Sequence, residues 1–457
     1  MALVPFSPNK KTKPISDMPE DVIEKIFSFL PFKKLCSLCI VSKRFRNSWK
    51  FCRDLSFDSD VAKNLSRDEY RNMVDNFFNN HSSSCADRLK LQYDASDESN
   101  LISFWVGKAI RLGIKELELN LTQTHEKLSL NYDLVDVETL KTLKLVNCEL
   151  HLPLNSNGLR HLREMTLQNV MAPPMVTDSI FRNCVSLRVL RLVRCSLVYS
   201  VRAIGKLGFE VLVVKDCCDV HSIEIDSPCL RRFHYHGKIM ELRFGCEMQC
   251  LSDVVLDVAH PRGFHRLSPS HRQMVERLAF VQIFTVTTIF LEGLCARFEK
   301  NEYKKMEFLL RRLKEFHLVV APESFLNPSD VAIFIKKCPS IEKLFIDLGR
   351  DAFATSLYWN NYGKNYVTAC QATFPFLKYV KIKGFTMREL PMHMARFFLK
   401  NAINLNRLIL VKARIHYFST NYSPENLRWG IISNAKIEMY NYRADKNTIM
   451  PQHLRGV

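Results

Sequence analysis

Glycine is scarce in this chain, with 14 in 457 residues, and no G-x-G-x-x-G, Walker-type loop, G-x-S-x-G or H-E-x-x-H stretch occurs. Phosphate-cradling loops and nucleophile elbows need glycines where the backbone turns sharply or meets its ligand, so the common nucleotide-loop, α/β-hydrolase and zincin chemistries are excluded. Long apolar runs are also missing. The longest candidate, Leu278 to Leu294, is broken by Gln282 and several Thr, which excludes an ordinary membrane-spanning helix. No apolar signal core precedes residue 20, which argues against the secretory route. The fifteen cysteines therefore read as reduced thiols and not as a disulfide framework. Cys36 and Cys39 form a lone C-x-x-C with no second pair nearby, so a four-ligand zinc site is not expected. The strand-like Arg232/His234/His236 segment lacks a carboxylate at matching spacing. Neither a metal nor a cofactor is implied.

What is present is apolar and basic. Hydrophobic residues make up 47% of the chain, enough for a large core. The length suits two or three domains, or one small module followed by an elongated array. The net charge of +18 is dispersed: residues 1–50 hold ten Lys or Arg against four acids, and the remaining surplus is spread along the chain. Such a distribution fits solvated faces or acidic protein partners better than a nucleic-acid stripe. Residues 1–13, with Lys10, Lys11 and Lys13, read as a disordered basic tail. Glu299, Glu302 and Glu307 alternate with lysines as on a solvated helix.

The most informative stretch starts at Met18. Asp17 is placed to cap a helix and Pro19 suits its first turn. Val22, Ile23, Ile26, Phe27 and Leu30 then recur at helical spacing until Pro31 interrupts. Leu35, Leu38, Cys39 and Val41 start a second apolar face, extended by Phe45 and Trp49. Helices this short cannot bury both faces alone, so one face needs a partner. Pro19, Val22-Ile23, Ile26-Phe27-Ser28-Phe29-Leu30-Pro31, Leu35, Leu38 and Val41-Ser42-Lys43-Arg44-Phe45 resemble an F-box. Met18 stands where that family usually has Leu, Phe45 where Trp is common, and Lys34 where an acid is common. The resemblance implies docking on a Skp-type adaptor, and through it on a cullin. The implied anchors are Pro19, Ile23, Ile26, Phe27, Leu30, Leu35, Leu38, Val41 and Phe45.

After residue 86 the period changes. An apolar residue, two variable ones and then apolar-x-apolar recur at Ala86/Leu89/Leu91, Ile114/Leu117/Leu119, Leu140/Leu143/Leu145, Leu162/Met165/Leu167 and Leu187/Leu190/Leu192. Further copies begin at Phe209, Leu230, Leu251, Val281, Leu313, Ile341, Leu377 and Leu405. From Ile114 to Leu251 the starts step by 21 to 26 residues, and later steps lengthen to between 28 and 36. This is the leucine-rich-repeat signature, in which each copy supplies one short parallel strand and stability comes from stacking neighbours. Cys148, Cys195 and Cys217 follow the strand at the turn position, where a small buried residue fits.

An F-box followed by irregular repeats, with turns such as Cys338-Pro339-Ser340-Ile341, resembles the plant F-box/leucine-rich-repeat family. The fold class expected is α+β: a small α-helical F-box, then an irregular α/β leucine-rich-repeat solenoid with parallel strands on the concave face. The expected boundaries are F-box 14–50, helical linker 51–85, and repeats with a C-terminal cap over 86–457. In such an array the variable strand residues line the ligand face. Arg191, His234, His317, Phe345, Tyr379, Lys381 and Arg407 are the candidate target contacts. The family resemblance implies a non-catalytic substrate receptor of an SCF-type ubiquitin ligase, in cytoplasm or nucleus, with no membrane contact. A protein-binding scaffold without a ligase role, and a basic nucleic-acid-binding solenoid, stay open as alternatives.

Overall fold

In the computed structural model, described here for residues 18–452 apart from 64, 82–84, 97, 125, 131–136, 156, 205–206, 239, 260–274, 295–307, 322–327, 350–372 and 415–422, the chain divides into two compact units, Met1–Ser186 and Leu187–Val457. The basic tail with Lys10, Lys11 and Lys13, the Asp17 cap and the charged stretch around Glu299, Glu302 and Glu307 lie outside the described residues.

The first unit begins with a helical hairpin, α1 (Glu20–Phe27) and α2 (Phe32–Val41), closed by 3-10 turns at Lys43–Phe45 and Ser48–Phe51. Pro19 is the N-cap of α1 and Pro31 the N-cap of α2. Prolines suit both places because an N-terminal N–H has no helical partner to lose. Five parallel strands follow, Asp54–Phe57, Arg88–Gln92, Glu116–Asn120, Thr142–Val146 and Glu164–Gln168, paired in chain order. Their register aligns Leu55, Leu89, Leu117, Leu143 and Met165 in one buried row. Phe57, Leu91, Leu119, Leu145 and Leu167 form the next. Burial of each such side chain contributes roughly 1.5–3 kcal/mol.

The stretch expected to be a helical linker, 51–85, is part of this sheet. Asp54–Phe57 pairs with Arg88–Gln92, and the helix Arg67–Asn80 is its return segment. That helix starts with a capping box, Ser66 with Glu69, and buries Tyr70, Val74, Phe77 and Phe78. Leu55 and Phe57 keep the apolar-x-apolar spacing of the later strands, with Cys52 in place of the aliphatic or aromatic residue that opens those phrases.

In the second unit ten strands are neighbours in chain order, all parallel: Val189–Val193, Val211–Lys215, Arg232–Lys238, Asp253–Ala259, Ile283–Thr287, Glu315–Val319, Lys343–Asp347, Tyr379–Phe385, Arg407–Lys412 and Lys436–Tyr440. The last falls within the stretch expected to be a cap. The return segments explain the changing period. Where starts step by 21 or 22 residues, the return is a strand (Ser200–Ile204, Ser222–Asp226 and Glu241–Phe244, which form their own parallel sheet). Where they step by 28, from Leu313 and from Leu377, it is a helix (Pro328–Lys336 and Glu389–Asn401). A helix advances about 1.5 Å per residue against about 3.3 Å for a strand, so it needs more residues to span the same return.

Several strands end in the same device. Asn147, Asn169, Arg194 and Asp216 adopt left-handed φ of 53 to 61° and are followed by the buried Cys148, Val170, Cys195 and Cys217. Asparagine and aspartate tolerate this region better than most residues. The Asn147 side-chain amide donates to the Leu121 main-chain carbonyl at 2.7 Å, and the Asn169 side-chain amide donates to Asn147 Oδ1 at 2.6 Å. Among the described residues no helix is long and apolar enough to cross a membrane.

Candidate functional site

The hairpin presents two kinds of apolar residue. Ile23, Phe27, Phe32 and Leu35 are buried within the first unit. Phe27 meets Phe45 edge-on at 5.2 Å, and Phe32 packs on Phe57 and Phe77 at 4.8 and 5.2 Å. Arg44 closes the start of α1, donating to the Met18 carbonyl at 2.7 Å and lying 3.5 Å from Glu20. These contacts staple the hairpin to the strand Asp54–Phe57 and the helix behind it. The outward side carries Phe29, 75% exposed, Ile40, 88%, and Val41, 76%, with Val22 beside them. Large apolar side chains left exposed on short helices are a usual mark of an interface.

Of the anchors expected from sequence, Pro19 and Val41 are exposed, while Ile26, Leu30, Leu38 and Phe45 are half-buried. Ile23, Phe27 and Leu35 are buried within their own chain, since helical spacing alone does not say which face turns inward. Sequence reasoning missed Phe29 and Ile40, although the turn before Pro31 and the end of α2 were signals that both lie at the hairpin's rim.

The second candidate is the strand face of the second unit. Arg191, Val213, His234, Val255, Thr285, His317, Phe345, Lys381, Ile409 and Glu438 form one register row, with Tyr379 and Arg407 in the row beside it. The structure thus brings all seven expected target contacts onto one face. It does not leave them all open. Arg191 and His234 are half-buried, and His234 Nε2 lies 3.0 Å from Asp253 Oδ1. His317, Phe345 and Lys381 are buried.

The cover is visible at Lys381, only 5% exposed. The segment after the last strand runs back over it. Lys381 Nζ lies 2.5 Å from Asp445 Oδ1 and donates to Thr448 Oγ1 at 2.7 Å and the Ile449 carbonyl at 3.1 Å. Two strands further, the Gln452 N–H donates to the buried Glu315 carboxylate at 2.5 Å. Arg407 donates to Glu438 Oε2 at 2.5 Å, and that bond, with Lys436 and Tyr440 adding to it, holds the Glu438 carboxyl down at about 2.

The strand-face cations generally have carboxylate partners, among them Lys144 with Glu118 at 2.8 Å, Arg232 with Asp253 at 3.1 Å and Lys383 with Asp347 at 2.9 Å. Paired charge of this kind is a poor track for a polyanion. Burial pushes the Cys36 thiol up to about 11 and Cys148 up to about 12, and Cys217 is raised by its hydrogen bond with Cys195 and by burial. Thiols shifted this way stay protonated at neutral pH and are poor nucleophiles and poor metal ligands. No cluster of three or more His, Cys, Asp or Glu suited to a metal occurs among the described residues.

Comparison with known proteins agrees with this architecture. The F-box domain family matches residues 15–56, and the family described as "At1g61320/AtMIF1, LRR domain" matches residues 77–426. The chain is 29% identical over 417 residues to the putative FBD-associated F-box protein At1g61330 of Arabidopsis thaliana, covering 88% of this chain and 92% of that protein. It is also 29% identical over 427 residues to the FBD-associated F-box protein At1g61320 of Arabidopsis thaliana, covering 88% and 90%. An F-box/FBD/LRR-repeat protein of the same organism, At2g26030, is 24% identical over 423 residues, covering 87% and 91%. With an F-box hairpin leading into a parallel repeat sheet, the chain belongs to the plant F-box/leucine-rich-repeat family.

Proposed function

We propose that this chain is the substrate-recognition subunit of an SCF-type ubiquitin ligase. The hairpin docks a Skp-type adaptor, and the repeat sheet holds a target protein for ubiquitination. The observation that carries the reading is the apolar rim of Phe29, Ile40 and Val41, left exposed on a hairpin whose other face is firmly stapled. A vestigial hairpin has no reason to keep large apolar side chains in water. The chain's contribution is proximity: holding a target beside the charged ubiquitin carrier raises the effective concentration of target lysines.

The test is co-purification with a Skp-type adaptor. The wild-type chain is expected to form a one-to-one complex, and Ile40→Asp/Val41→Asp to lose it while staying folded. A folded wild type that leaves the adaptor unbound would favour the free-standing scaffold.

A further inference from the structure

The buried register row of the last strands has a cover made from the same chain. In strands such as Val189–Val193 and Val211–Lys215, burial alternates along the strand. In Glu315–Val319, Lys343–Asp347, Tyr379–Phe385 and Arg407–Lys412 three or four consecutive residues are buried, so both faces are covered. The segment Asn441–Gln452 lies on the outer side. It contacts Lys381 through Asp445, Thr448 and Ile449, approaches Lys383 through Asp445 at 3.9 Å, and reaches Glu315 through Gln452.

We infer that the outer face of strands Glu315–Val319 to Arg407–Lys412 is a peptide groove for a segment bearing an acidic side chain, and that residues 441–452 fill it in cis as a displaceable strap. This names a target class for the recognition role proposed above and rests on that reading.

Three features support it. First, Lys381 is a buried ammonium whose three N–H donors meet a carboxylate, a hydroxyl and a main-chain carbonyl, all from the strap. A peptide that presents a carboxylate and its own backbone satisfies the same donors. Second, the strap is a 3-10 helix, Tyr442–Asn447, with a short tail, and among the described residues it pairs with no strand, so lifting it breaks no strand ladder. Third, the same register row continues past the buried Thr285 and Val255 to His234 and Arg191, which are half-buried. A target can make further contacts there. The strap competes from a high local concentration because it is tethered, so a target needs those additional contacts to win.

The test uses the full chain and a labelled synthetic peptide of residues 441–452. The wild type is expected to leave the peptide unbound, because its groove is filled. Asp445→Lys, which sets a cation against Lys381 and Lys383, is expected to free the groove and bind the peptide one-to-one. Changing Asp445 to Asn in the peptide is expected to weaken that binding at least tenfold, as is adding Lys381→Met to the chain. A folded Asp445→Lys chain that ignores the peptide would overturn the inference. Hydrogen exchange on the wild type decides independently of whether that variant folds. Amides of 442–452 are expected to open while Tyr379–Phe385 and Arg407–Lys412 stay protected. Opening of strap and strands in one step would make the segment a fixed part of the core and sink the inference. The adaptor complex should be unaffected by either variant, so failure of the groove and failure of the ligase reading are separable.

Discussion

Lys381 shows what a single charge does inside this sheet. Its ammonium is out of water, with the Asp445 carboxylate 2.5 Å away. Removing one member of a buried pair leaves the other uncompensated, at a cost of about 3–5 kcal/mol. Lys381→Met and Asp445→Leu are each expected to lower the melting temperature clearly. The double variant should recover much of the loss, since two apolar groups need no counter-charge. Calorimetry of the four chains checks this; additive losses would show that the two residues act independently. Glu438 makes a second residue-scale case. Its carboxyl is held at about 2 when folded, against an ordinary value of 4.5. A carboxyl lowered by folding stabilises above its unfolded value, and that contribution fades as pH falls from about 4.5 to about 2. A Glu438→Gln chain should therefore be less stable at neutral pH and show a shallower acid limb, measured as melting temperature against pH.

At the scale of elements, turns matter as much as strands. Asn147 combines a left-handed φ of 61° with side-chain bonds to Leu121 and Asn169. Asn147→Ala loses both the tolerance and the bonds, and is expected to cost about 1–3 kcal/mol. Asn147→Gly should recover the backbone part only, and denaturant melts of the three chains separate the two contributions. All thirteen repeat phrases fall on strands. They were legible because leucines at fixed alternate positions mark a half-buried strand. The strands Asp54–Phe57 and Lys436–Tyr440 were not, since Cys52 and Asn434 stand where an aliphatic or aromatic residue opens the other phrases. Return segments were legible only in length, which separates strand from helix at 21–22 and 28 residues but not between, since the 26-residue step from Ile114 holds the strand Leu128–Leu130 and the 25-residue step from Leu162 the helix Pro174–Asn183. The cover over His317, Phe345 and Lys381 was hidden for a different reason: alternation tells which side chains leave the core, not what lies over them. One clue was present, in the near-continuous apolar runs Phe316 to Val320 and Leu408 to Val411, the pattern of strands buried on both faces.

For the molecule as a whole, the proposed function divides two tasks between two surfaces: the exposed apolar residues of the hairpin for an adaptor and the strand face for a target. The rim was legible as a hairpin with a spare face. Which of its residues were spare was not, because Ile23, Phe27 and Leu35 have the same helical spacing as the residues that stay in water. The most direct test of the adaptor claim is a calorimetric titration of a purified Skp-type adaptor into the folded chain, with Ile40→Asp/Val41→Asp alongside. Submicromolar one-to-one binding by the wild type is predicted, weakened at least a hundredfold in the variant at an unchanged melting temperature. Equal binding by both chains, or no binding by a folded wild type, would contradict it.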